Sequence, residues 1–347
     1  MKAILFCTAS YDFAILKPLA DALEEQGDKY LWYILPSLFN TFPYKAMMHT
    51  NSLELVEEFQ ADVIFTPSSD LPYWLKGLKV HIFHGLSREN ETYFELSDSF
   101  DLYLTPGPFI TKYFEGLAKK GANFKVIETG WSKLDRLFTI DKETKAKREQ
   151  ILAKYKAKHI LLYAPTFSPS LNSADKLYET IQKLGNKKEI VIMIKFHEKM
   201  SLDTIEHYQQ KLKESNILII EESDTVPYMQ IADLMISDTS SVVYEFLLLG
   251  KPLITFNSQA EQITWSNHTE PQEIYLKVIR TFQQNKYIPN RQQEKTIAHY
   301  HPYKDGASSL RMIEAVRAYI KEYGIPKERK LPLMQKWKIY RKYNKLH

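Results

Sequence analysis

The sequence predicts an α/β protein made of two successive parallel-sheet units, and three observations carry that expectation. The chain has 347 residues, more than one hydrophobic core usually holds, so two domains of about 150 residues each are expected. Short apolar runs alternate with amphipathic segments, the pattern of βα units whose sheet is covered on both faces. The alternation stops in a highly charged stretch at 141–158 and then begins again.

In the first half the runs Ala3–Cys7, Tyr30–Leu35, Val63–Phe65, Val80–Phe83, Leu102–Thr105 and Lys125–Glu128 read as strands, and Ile15–Glu25 reads as a helix. Thr129-Gly130 turns the chain away. Residues 141–158 read as a charged helix beside the domain boundary. In the second half His159–Ala164, Ile190–Phe196, Ile217–Ile220, Leu234–Ser237 and Pro252–Phe256 read as strands, with helices at about 175–184, 201–214, 226–231, 241–249 and 271–284. Ser308–Tyr323 makes the last long helix, apolar at 310, 312, 313, 316, 319 and 320 on one face. The expected division is a Rossmann-like domain at 1–140, a second at 141–324 and a tail at 325–347. Two facing units of this kind bind ligands in the cleft, beyond the carboxyl ends of the strands.

Composition narrows the function classes. Cys7 is the sole cysteine, so no intrachain disulfide forms, and a reducing, cytoplasmic setting is expected. The N-terminal apolar run is too short for a signal peptide, and no segment reaches the roughly 20 apolar residues that span a bilayer. Net charge is +4, but residues 325–347 carry eight Lys or Arg against one Glu. Trp337, Tyr340 and Tyr343 lie among those charges. That mixture suits the inner face of an anionic membrane, while a solvated terminus accounts for it as well. A nucleic-acid partner is not expected, because the basic excess is confined to the end and no nucleic-acid motif accompanies it. No metal motif, Walker loop or dinucleotide fingerprint is present, so neither a metal nor a cofactor is expected.

Four chemically loaded positions follow strands. His84-Gly85 comes first, with the glycine allowing a sharp turn and the imidazole suited to proton removal or phosphate binding. Ala164-Pro165-Thr166 offers a hydroxyl and N–H groups to a phosphate, although turn chemistry accounts for it equally. Lys195-Phe196-His197 sends Lys195 and His197 to one side, where they can neutralise and protonate a leaving phosphate. The run Asp238, Thr239, Ser240 and Ser241 stands at a helix start, an arrangement that either caps the helix or holds an anion on its free N–H groups and dipole. Glu245 lies one turn further on and could accept hydrogen bonds from a ribose or pack at the core edge.

With these sites in order, the chain resembles the CDP-glycerol glycerophosphotransferase family, the teichoic acid primases and polymerases of GT-B fold. The resemblance covers about residues 60–320 and rests on His84-Gly85, Tyr163-Ala-Pro-Thr166, Lys195-Phe-His197, Ser237–Phe246, Leu249–Ile254 and Asp305-Gly-Ala-Ser308. It implies that His84 and His197 are catalytic and that Thr166, Ser240 and Ser241 hold the donor pyrophosphate. Gly85, Lys195, Asp238, Thr239 and Glu245 join them at the donor. Ser168 stands where the family carries Arg after an aromatic residue, and Glu198 where it tends to carry Pro. The implied reaction moves an alditol phosphate from a CDP-linked donor to a hydroxyl of a cell-surface glycan or glycolipid, with release of CMP. A GT-B glycosyltransferase using a nucleotide sugar and a non-catalytic nucleotide-binding partner of a polymerase complex are the alternatives.

Overall fold

The computed structural model describes residues 1–86, 99–120, 123–211, 215–222, 224–260, 263–284, 287–327 and 331–344. Its chain forms two compact units, one of Met1–Asp135 with Ala298–His347 and one of Arg136–Ile297. The second unit is therefore inserted into the first.

The first unit contains β1 (Lys2–Cys7), α1 (Asp12–Glu25), β2 (Lys29–Ile34), β3 (His49–Thr50), α2 (Leu53–Phe59), β4 (Val63–Thr66), β5 (Leu78–Ile82), β6 (Leu102–Thr105), α3 (Pro108–Ala118) and β7 (Lys125–Glu128). Its seven strands are all parallel, in the order β3-β2-β1-β4-β5-β6-β7. The order reverses between β1 and β4, which is where an open parallel sheet leaves a crevice. Most residues of β1, β4, β5 and β6 are buried, as expected of strands covered on both faces. One face packs Ile4, Phe6, Tyr33, Ile64, Phe83 and Tyr103 into a common core.

The second unit begins with α4 (Lys142–Tyr155), β8 (His159–Ala164), α5 (Ala174–Gly185), β9 (Ile190–Ile194), α6 (Leu202–Lys211) and β10 (Ile217–Ile219). It continues with α7 (Val226–Ile231), β11 (Leu234–Ser237), α8 (Val242–Leu247), β12 (Leu253–Phe256), β13 (Ser266–His268) and α9 (Pro271–Gln283). The six strands run parallel in the order β10-β9-β8-β11-β12-β13, so the reversal lies between β8 and β11. Of the helix expected at 201–214, residues 212–214 lie outside the described residues.

Within α10 (Arg291–Tyr300) the chain passes back to the first unit, which then receives α11 (Ser308–Tyr323) and α12 (Leu333–Asn344). The expected 141–324 domain thus differs from the observed one. Residues 298–324 group with the first unit because their polar and apolar partners are there. Asp135 caps α11, accepting from the N–H groups of Ser308 and Ser309 at 2.7 Å each. Arg311 donates to the Thr129 carbonyl at 2.7 Å, Arg317 pairs with Asp28 at 2.8 Å, and Met312, Ile313 and Val316 are buried. Of the expected 325–347 tail, the described residues of α12 are docked, with Ile339 and Tyr343 buried in the core of the first unit.

Candidate active site

In the second unit the expected residues Thr166, Lys195, Asp238, Thr239, Ser240 and Ser241 gather at the carboxyl ends of three adjacent strands, β8, β9 and β11. Asp238 is the organiser rather than a surface group. It is 1% exposed, and both its oxygens are engaged inside the protein. Oδ1 accepts from the Thr166 N–H at 2.9 Å, and Oδ2 accepts from the Ser173 N–H at 3.0 Å and the Ser173 hydroxyl at 2.7 Å. Burial pushes its carboxyl up to about 6, against the opposing pull of these donors. Thr239 is also inward, its hydroxyl oxygen accepting from the Gln259 N–H at 3.0 Å.

What the loop presents at the surface is Ser240 and Ser241, both half-buried, while Thr166 beside them is buried. Ser241 takes the N-cap position of α8 without a side-chain capping bond, so capping does not account for its hydroxyl. Among the described residues, none of these three hydroxyls has a hydrogen-bond partner in the protein. Glu245 is placed one turn into α8 and is only 3% exposed.

Strand β9 ends at Ile194, and Lys195 continues its ladder by donating its N–H to the Tyr163 carbonyl at 2.9 Å. Phe196 turns into the core while Lys195 is half-buried and His197 exposed, as the alternation predicts. Burial lowers the pKa of Lys195, with Glu198 and Glu222 opposing. The His197 ring lies 4.4 Å from that of Phe167, the residue after Thr166, which joins this loop to the β8 loop. The Lys199 N–H donates to His197 Nδ1 at 3.1 Å, so in the neutral ring Nε2 carries the proton. Although the residue is exposed, partial shielding of its ring from water lowers the pKa of this imidazole too, with Glu198 opposing.

In the first unit His84 follows β5, with Gly85 buried behind it. His84 Nδ1 donates to the Pro67 carbonyl at 3.3 Å, which makes Nε2 the basic nitrogen. Burial brings its pKa down to about 4, so the ring is neutral at pH 7. The two histidines are thus held in opposite tautomers. The carbonyl of Phe83, just ahead of His84, accepts from the Trp131 indole at 2.6 Å, and the Trp131 N–H donates to His301 Nε2 at 3.0 Å.

Several of these contributors escape sequence reading. Ser173 lies seven residues past Thr166 at the N-cap position of α5, and its role appears only once Asp238 is brought beside it across the sheet. Pro67 acts through its carbonyl, which no side-chain pattern reports. Lys251 of the Gly-Lys-Pro element is structural: its ammonium donates to the carbonyls of Met229, Gln230 and Ala232 at 3.3, 2.5 and 2.8 Å, closing the C-terminus of α7.

Residues 77–318 match the family described as CDP-glycerol:poly(glycerophosphate) glycerophosphotransferase, well over half of the chain. The chain belongs to that family. Among curated relatives, it is 26% identical over 230 residues to the teichoic acid ribitol-phosphate polymerase TarL of Staphylococcus aureus, covering 61% of this chain and 40% of the relative. TarK of the same organism, also a teichoic acid ribitol-phosphate polymerase, is 25% identical over 231 residues, 61% of this chain and 44% of its own length. The chain therefore spans less than half the length of these curated relatives.

Solved structures agree on the fold. The wall teichoic acid polymerase TagF superposes with a TM-score of 0.63 at 16% identity, over 93% of this chain and 89% of that one. UDP-GlcNAc 2-epimerase from Neisseria meningitidis gives 0.64 at 16% identity, over 92% and 100%. This family member thus has the expected GT-B fold, which polymerase and epimerase share.

Proposed function

We propose that the chain transfers an alditol phosphate, such as glycerol phosphate, from a CDP-linked donor to a hydroxyl of a cell-surface glycan or glycolipid in teichoic acid synthesis. The observation that carries this reading is the tautomer of His84. With Nδ1–H committed to Pro67, a neutral ring offers Nε2 to the acceptor hydroxyl and takes its proton as that oxygen attacks the distal phosphorus in line. The bond from that phosphorus to the bridging oxygen breaks, and CMP leaves with the bond's electron pair. Lys195 and the Nε2–H of His197 meet the charge growing on the leaving phosphate. Thr166, Ser240 and Ser241 donate to the phosphate oxygens, so in this reading side chains rather than a divalent ion balance the charge.

The test is CMP release from CDP-glycerol in the presence of a lipid-linked acceptor. His84→Ala should abolish it while the donor still raises the melting temperature, because the donor contacts other than Gly85 are assigned to the second unit. Normal turnover by this variant would sink the assignment, and release of UDP or GDP from nucleotide sugars instead would favour sugar transfer.

The membrane surface enters through α12. No helix among the described residues is long and apolar enough to cross a membrane. The outer side of α12 nevertheless exposes Leu333 (85%), Met334 (71%), Trp337 (56%) and Tyr340 (50%), with Lys338 and Arg341 exposed beside them. An apolar, aromatic stripe edged with cations fits the headgroup region of an anionic bilayer, and we place the enzyme peripherally on the inner face of the cell membrane on that basis.

A further inference from the structure

The loop after β4, residues 66–70, gives two successive carbonyls to imidazoles: Pro67 to His84 at 3.3 Å and Ser68 to His81 at 3.2 Å. Its near end is tied down by hydroxyls. Thr66 Oγ1 donates to the Phe6 carbonyl at 2.9 Å and accepts from the Ser68 N–H at 3.1 Å, while the hydroxyls of Ser68 and Thr8 meet at 2.5 Å. Its far end is held from α12, more than 270 residues away in sequence. The Tyr343 hydroxyl donates to Asp70 Oδ1 at 2.8 Å, and the Lys342 ammonium contacts the same carboxylate at 2.9 Å.

The two anchors differ in strength. Tyr343 is fully buried and stands edge-on to Phe6 at 5.8 Å, so its hydroxyl is fixed in place and its bond to a carboxylate is charge-assisted. Lys342 is half-exposed, and such surface pairs contribute little. Between the anchors Ser69 is exposed. Thr66 and Ser68 thus hold Pro67 on either side, and Tyr343, which also donates to the Asp70 carbonyl at 3.3 Å, holds the same loop from its far end.

We propose that Asp70 and Tyr343 are positioning residues for the reaction: through the 66–70 loop, α12 holds the carbonyl that sets the tautomer and aim of His84. This rests on the reading of His84 as the base. Displacement of a reacting group by about 1 Å costs on the order of 100-fold in rate. Tyr343→Phe keeps the ring packing and removes only the hydroxyl. In the full chain it should lower kcat for CMP release about 10-fold per folded molecule, leave the donor KM within about twofold, and convert the ¹⁵N imidazole signals of His84 from one neutral tautomer to a mixture. The signals of His159, in the other unit, serve as the unmoved control. Asp70→Ala should act in the same direction and Asp70→Asn should restore most of the loss, since an amide oxygen still accepts from Tyr343.

Unchanged His84 signals and unchanged kcat in Tyr343→Phe would overturn the proposal, whatever becomes of Asp70→Ala. The spectroscopic readout needs no turnover. A failure of His84 as base would show as normal activity in His84→Ala, while the tautomer shift in Tyr343→Phe would still report on the loop.

Discussion

Asp238 shows how one residue can belong to a site without touching its ligand. Three donors converge on its two oxygens, from Thr166 and twice from Ser173, and so the β8 and β11 loops share one carboxylate. Asp238→Asn turns an amide NH₂ toward some of those donors. It should cost about 1–3 kcal/mol, the usual penalty for buried groups left unpaired, read as a lower urea midpoint of the full chain. An unchanged midpoint would show that the carboxylate does not hold the loops together. The hydroxyl run at 238–241 was legible in the sequence because its residue types are those of an anion loop. Which of its members face inward was not, since burial of Asp238 and Thr239 is decided by Ser173 and Gln259, distant in sequence and adjacent only across the sheet.

At the scale of elements, strands were the easiest to read. The apolar runs of β1, β8 and β11 are too short and too evenly apolar for a surface helix, and their observed limits fall within a residue or so of expectation. Helix α12 was harder: its sequence is basic, and its inward residues Ile339 and Tyr343 are spaced for a helix but flanked by lysines. Composition reports the charge, and only the packing separates the docked side from the outer one. That separation makes the membrane reading testable without unfolding the helix. Replacing Met334, Trp337 and Tyr340 with Ser leaves Ile339 and Tyr343 in place and should weaken binding to phosphatidylglycerol vesicles at least tenfold, because each large apolar side chain contributes about 1.5–3 kcal/mol on burial. Equal binding by the triple variant in a flotation assay would remove α12 from the membrane account.

For the molecule as a whole, titration should separate the two units. The first buries three histidines in their neutral forms: His81 is lowered to about 3, and His84 and His301 to about 4, chiefly by burial. An unfolded histidine titrates near 6.5. As pH falls from about 6.5 toward 4, the unfolded chain therefore binds protons that the folded unit refuses, and stability falls. Asp12, raised to about 7 by burial, acts in the opposite sense but is one group against three. In the second unit Asp238, raised to about 6, gains stability over the same window while His197 opposes it. Hydrogen exchange followed by mass spectrometry at pH 7 and pH 5, corrected for intrinsic rates, should show protection lost from β1, β4 and β5 and largely retained in β8 and β11. Equal loss in both units would refute the assignment of acid sensitivity to these histidines. The two-sheet architecture was legible from alternation alone. The return of 298–347 to the first unit was not, because the partners that draw it there, Asp135, Thr129 and Asp28, carry no mark in the sequence of what they will cap or pair with.

That return has a consequence for the order in which the protein is made. Residues 136–297 form a unit whose every segment has been synthesised before α11 exists, whereas the first unit lacks α11 on its Asp135 cap, the imidazole behind Trp131 and the brace on Asp70 until the chain has reached Tyr343. Since domains fold as units during synthesis, the donor-side loops can be assembled on the ribosome while the histidine assigned as the base still waits for its last support. The half begun first is the half finished last.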